Sequence, residues 1–121
     1  MRFEEIIKTR REVEELGCEI ENDIIRSVDV RVIAHFGNVV CFVVRCDNVT
    51  PISGYNNTGN LGYVLQAFIE LFDLSKEDGV DLSEIKYVPC RLVFYEGRCV
   101  GLGHFMKDRF VFTEDLARCE G

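Results

Sequence analysis

Apolar positions recur with two different periods along this chain. Phe3, Ile6, Ile7, Val13 and Leu16 fall at helical spacing, Glu4 stands four residues before Lys8, and Gly17 follows as a stop. That pattern predicts a helix over about residues 2–16. From Cys18 the period changes to two. Cys18, Ile20, Ile24, Val28, Val30, Val32 and Phe36 share one parity, while Glu19, Glu21, Asp23, Ser27, Asp29, Arg31 and His35 occupy the other. This is one or two half-buried strands with a wet face, and Asn22-Asp23 is a candidate bend.

Phe36-Gly37-Asn38 makes a turn, and the run Val39 to Cys46 is apolar on both parities. The two strands form a hairpin, the second placed centrally in a sheet. A loop over 47–60, DNVTPISGYNNTGN, then leads into a stripe of Leu61, Val64, Leu65, Phe68, Ile69 and Phe72. The stripe is the clearest amphipathic helix of the chain, with Thr58 or Asn60 able to cap it. After an acidic connector, with a helical turn at 82–85, Tyr87–Tyr95 and Arg98–Phe105 form a second hairpin around Glu96-Gly97. Pro89 puts the first of these strands at an edge or makes it start late. Thr113 caps a short terminal helix reaching Cys119.

The fold expected is α+β in a single domain, residues 1–121. An antiparallel sheet of two hairpins packs on the helix at 60–73, and an additional N-terminal helix covers the other face or a partner subunit.

Composition narrows the classes. With 121 residues, 47% hydrophobic and 29% charged, the chain is globular and large enough for one core. No apolar run is long enough to span a membrane, and MRFEEIIKTRREVEEL lacks a signal-peptide core, so a cytoplasmic protein is expected. The net charge of −7 argues against DNA or RNA as partner, although one local pocket can still favour a small anion. None of the six cysteines, Cys18, Cys41, Cys46, Cys90, Cys99 and Cys119, forms a C-x-x-C pair. They read as small buried hydrophobes in a reducing compartment, with Cys119 the best candidate for an exposed thiol.

No nucleophile elbow, Walker loop, dinucleotide fingerprint or H-E-x-x-H is present, so no catalytic residue is assigned. An acid–base pair of unknown members is the remaining enzymatic route. His35 and His104 lie on different hairpins with no ligand spacing around them, so neither a metal nor a cofactor is expected. The segment GYNNTGN combines glycines with the start of a helix, where free N–H groups can face an anion. The same residues make an ordinary loop with a good N-cap. Arg91 and Arg98 flank the second turn, and the stretch GHFMKDRF, 103–110, brings Lys107, Asp108 and Arg109 together after Gly101 and Gly103. An arginine beside Phe110 suits a phosphate and a stacked base, and Asp108 suits a ribose or base edge. Solvated charges and a turn-starting Asp108 account for the same residues.

The stretches YVLQAFIELF (63–72), IKYVPCRLVF (85–94) and GHFMKDRF (103–110) resemble a family of small proteins from phages and prophages of gut bacteria and related Firmicutes. Its members carry an amphipathic helix, a strand of the type K-Y-[IV]-x-[VC]-R and an ending like G-H-[IF]-x-K-D-[KR]-[WF]-F. The resemblance covers about residues 38–112. It departs at Phe110-Val111, where the family has Trp-Phe, and in a longer acidic connector. More narrowly, the chain is similar to the phage anti-Thoeris sponges, which hold cyclic ADP-ribose-type immune signals without cleaving them. Some of these also bind cyclic oligonucleotides of the CBASS defence pathway, and they assemble as hexamers.

The resemblance implies an anti-defence protein that sequesters a nucleotide in the bacterial host cytoplasm, self-associates and has no enzymatic step. The candidate ligand-binding residues are Tyr55, Asn57, Thr58, Asn60, His104, Lys107, Asp108, Arg109 and Phe110. The alternative is a protein-binding inhibitor or assembly module of a mobile element, using an exposed sheet edge or a helix face.

Overall fold

A computed structural model describes residues 2–33, 39–54 and 61–119. The architecture is α+β: a curled five-stranded antiparallel sheet with four short helices. The strands are β1 (Glu19–Ile33), β2 (Val39–Cys46), β3 (Val88–Tyr95), β4 (Arg98–His104) and β5 (Phe110–Phe112), in the order β2-β1-β3-β4-β5. The helices are α1 (Phe3–Ile6), α2 (Arg10–Glu15), α3 (Leu61–Leu71) and α4 (Thr113–Leu116), with a 3-10 turn at Leu82–Glu84.

The expected pair of hairpins on one helix does not describe this sheet. β1 is one strand of 15 residues shared by both halves. Its end at 25–33 pairs with β2, its beginning at 19–25 pairs with β3, and Ile25 alone pairs with both. A bulge between Ile25 and Ser27 separates the two halves. An inserted residue switches the side on which successive side chains emerge. Ile20 therefore packs into one face of the sheet and Val28 into the other, although they share a parity. β2 is an edge strand, not a central one. Its outer side is covered by the chain around Ile52, whose carbonyl accepts from Val44 N–H at 2.8 Å. β3 is interior, and Pro89 is tolerated because it stands at the second position of the strand.

The main core lies between the sheet and α3. Val64, Ala67, Phe68 and Leu71 are its buried stripe, and Phe68 meets Phe42 edge to face at 5.4 Å. On the opposite face, a smaller cluster joins Val13 of α2 to Cys18, Val93 and Phe110. The N-terminal segment serves both. Ile6 belongs to the main core and Val13 to the smaller cluster, so the chain must cross the sheet edge between them. It does so at Lys8, which exchanges two backbone hydrogen bonds with Phe110, at 2.8 and 2.9 Å. That edge pairing breaks the single helix expected over 2–16. Thr9 starts α2 anew, through a reciprocal cap with Glu12.

Two smaller expectations are corrected. Cys119 is 2% exposed in the main core, hence not an accessible thiol. Thr113 does not cap α4, because its hydroxyl donates to the Val100 carbonyl at 3.2 Å and the N-cap is Phe112. The turn between β3 and β4 is as expected: Glu96 and Gly97 both have positive φ, 50° and 80°, as the commonest tight hairpin requires. Among the described residues, no helix is long and apolar enough to cross a membrane.

Candidate functional site

The connection from β4 to β5 is seven residues of sequence that the fold sets against the end of α3. α3 stops at Leu71, and Asp73 follows in the left-handed region at φ 54°. A short polar side chain tolerates that conformation better than most. It turns the Asp73 carboxylate toward the β4–β5 connection, where three donors meet one oxygen. Arg109 reaches Asp73 Oδ2 at 2.8 Å, His104 Nε2 lies 3.5 Å from it, and the Lys107 ammonium hydrogen-bonds the same atom. Arg109 also donates to the Leu71 carbonyl at 3.2 Å, which ties the last turn of α3 to the sheet.

The protonation state of His104 follows from its partners. Its Nδ1 accepts backbone N–H groups of Met106 and Lys107, both at 3.0 Å. Nδ1 is therefore unprotonated, and Nε2 carries the hydrogen that faces Asp73. Burial, then the Arg109 charge, pushes the imidazole below its ordinary pKa. Hydrogen bonds from Lys107 and Arg109 hold the Asp73 carboxyl down at about 2. At neutral pH the cluster is thus two cations, one anion and a neutral imidazole. Arg109 Nε is buried with no hydrogen-bond partner among the described residues, so Asp73 and Leu71 do not satisfy the whole guanidinium.

Beside the cluster is an open depression of about 470 Å³, lined by Phe3, Glu4, Glu70, Asp73, Ser75 and Arg109. Lys107 and His104 do not line it. Its two additional carboxylates oppose an anion on that side and leave the Lys107 side as the more favourable approach.

The structure divides the residues singled out from sequence. His104, Lys107 and Arg109 do come together. Asp108 points elsewhere, accepting the Arg10 backbone N–H at 2.5 Å, and so caps the first turn of α2 from a distant part of the chain. Phe110 is fully buried in the smaller cluster and offers no ring face to a ligand. The glycines before it have the same explanation. A Cβ on Gly103 would stand 2.3 Å from Phe110 Cδ1, and one on Gly101 2.5 Å from the Val111 carbonyl oxygen. What approaches the bare backbone of β4 is β5 and its phenylalanine. Tyr55, Asn57, Thr58 and Asn60 lie outside the described residues. The described start of α3, Leu61, is separated from Asp73 by the length of the helix, about 16 Å for its 11 residues.

Asp73, the residue on which the cluster converges, carries no local signal in the sequence. Its partners stand 31 to 36 positions away, and only the docking of α3 on the sheet unites them. Among the described residues, no group of three or more His, Cys, Asp or Glu is placed to hold a metal ion. No protein-family model, no curated protein and no solved structure matches the chain.

Proposed function

We propose that the chain is a non-enzymatic binding protein that sequesters a small nucleotide-like anion. The observation that carries this reading is the convergence of Lys107, Arg109 and His104 on a single oxygen of Asp73. Three donors around one oxyanion form the arrangement that recognises phosphate. Asp73 stands in for the ligand: its carboxylate is 43% exposed, and its partners are side chains that can re-form the same hydrogen bonds to an incoming phosphate oxygen. Displacement costs the Asp73 contacts, and Glu4 and Glu70 add repulsion. A phosphate diester or a singly charged group on a larger neutral body suits this balance better than a triphosphate. A cyclic nucleotide of the ADP-ribose type, sequestered intact by an oligomeric phage or prophage protein in the host cytoplasm, is the member of that class the reading favours.

The test is native mass spectrometry after incubation with a panel of cyclic nucleotides. The expected result is a bound mass equal to that of the added nucleotide, recovered unchanged on heating. Losing one charge-assisted hydrogen bond costs about 1.5–3 kcal/mol, so Arg109→Ala should weaken binding roughly ten- to a hundredfold. Conversion to a new product would point to an enzyme. No bound nucleotide, together with capture of a defined host protein, would favour the second reading, an inhibitor or assembly module. That reading has its own support in the unguarded half of β1.

A further inference from the structure

We infer that the distal half of β1 is the interface through which two copies of this chain pair, strand to strand, about a two-fold axis at Val30. This surface is independent of the Asp73 cluster and holds whatever that cluster binds.

The inference begins with which backbone groups are unused. Val44 N–H bonds outward to Ile52, so Val44 does not donate to Val28, its partner across the β1–β2 pair. Hydrogen-bonded and non-bonded positions alternate along an antiparallel pair. Val28, Val30 and Val32 therefore direct their N–H and C=O groups away from β2. On that side β3 reaches only to Ile25, where Tyr87 N–H donates to the Ile25 carbonyl at 2.8 Å. Among the described residues, nothing bonds the outward backbone of Val28, Val30 and Val32.

Other edges of the sheet are guarded. β5 is covered by Lys8 and β2 by Ile52. The free side of the proximal half of β1 carries Glu19, Glu21 and Asp23, so two copies placed there would set carboxylates against one another. The distal half has none of the usual protections against pairing, namely a proline, a lysine or a bulge within it. It reads Val28-Asp29-Val30-Arg31-Val32, with Val30 41% and Val32 65% exposed.

The occupant is set by self-complementarity. With Val30 opposite Val30 of a second copy, Asp29 faces the second copy's Arg31 on both sides of the axis. Val28 faces Val32 in the same way. The valines fall where their backbone groups point outward, so each donates and accepts across the axis. The exposed valines of both copies meet on one face, and the opposite charges meet on the other. Within one chain Asp29 and Arg31 are 3.7 Å apart, too far for a hydrogen bond, which leaves Arg31 available to the second copy.

The test is sedimentation or light scattering of the full chain at micromolar concentration, with two variants. Val30→Pro removes the central outward N–H without touching the bonds to β2. Arg31→Glu places like charges opposite Asp29 at an exposed side chain that the monomer does not need. The wild type is expected at twice the chain mass, and each variant at one, with unchanged far-ultraviolet circular dichroism. Amide exchange at Val28, Val30 and Val32 in the wild type should slow as concentration rises, which is readable even if a variant folds poorly. A single-chain mass for the wild type overturns the inference. So does an assembly that survives both substitutions, or exchange at these amides that ignores concentration.

Discussion

Two carboxylates in this molecule are each held by several donors, and they are held in opposite ways. Asp23 is 8% exposed in β1. It accepts from the backbone N–H groups of Ile24, Asp47 and Asn48 at 2.6, 3.1 and 3.4 Å, and from the Asn48 amide at 3.3 Å. Those donors are uncharged, and three of them are main chain, so they cannot follow another acceptor without unfolding the turn after β2. Asp73 is half open to solvent and is held by the ends of Lys107, Arg109 and His104. Long cationic side chains keep their charge and reach when the carboxylate is removed. The first carboxylate is part of the fold, and the second occupies a site that another anion can take over.

The largest expected effect follows from the buried member. Asp23→Ala leaves three backbone donors without their acceptor and should cost about 3 kcal/mol in urea unfolding. Anion binding at Arg109 should be unaltered. If Asp23→Ala proved no more destabilising than Asp73→Ala, the distinction between a structural and an exchangeable carboxylate would collapse.

A somewhat smaller effect is expected at Gly103, beside His104. An added methyl group meets the Phe110 ring, and overpacking of this kind costs about 1–3 kcal/mol. Phe110→Leu in the same chain should recover part of that loss, which a double-mutant cycle would measure. Additive losses would mean that Gly103 is not there to admit the ring.

Acid sharpens the comparison further. The folded-state pKa of His104 lies below its ordinary value, so its neutral form stabilises the fold above the ordinary range, near 6.5. That contribution fades as pH falls from there through the depressed value. Asp73, held down to about 2 from an ordinary 3.8, supplies stability above the ordinary value that is lost between about pH 4 and 2. Thermal unfolding should show both losses in the wild type. The upper one should vanish in His104→Gln and the lower one should shrink in Asp73→Asn. An unchanged profile in both variants would remove the electrostatic account of the cluster.

These particulars also show where sequence reasoning reached and where it stopped. The α3 stripe and the Glu96-Gly97 turn are local patterns, and both are where periodicity and turn chemistry put them. The break in the N-terminal helix was legible too, since Thr9-Arg10-Arg11-Glu12 is a capping box, but the longer apolar spacing outweighed it. The bulge in β1 was not legible. Even-numbered apolar residues run on through it, while the chain changes faces underneath them. For the candidate site, sequence found the cations and not their acceptor. It also read two glycines and a phenylalanine as room for a ligand, when the glycines make room for the phenylalanine. Residue types near one another in sequence suggest a site, but what fills the space between them is set by distant segments.

The most direct measurement concerns Asp73 itself. Asn suits the left-handed backbone at this position, so Asp73→Asn removes the internal anion while keeping the turn. Inorganic phosphate, and then a cyclic dinucleotide, would be titrated into wild type and variant, with the side-chain resonances of Arg109 and His104 followed by NMR. The account predicts saturable shifts at both residues, with affinity in Asp73→Asn at least about tenfold tighter than in the wild type, a change of 1.4 kcal/mol. No saturable shift in either protein, or equal affinity in the two, would contradict it and leave Asp73 as a latch between α3 and the sheet.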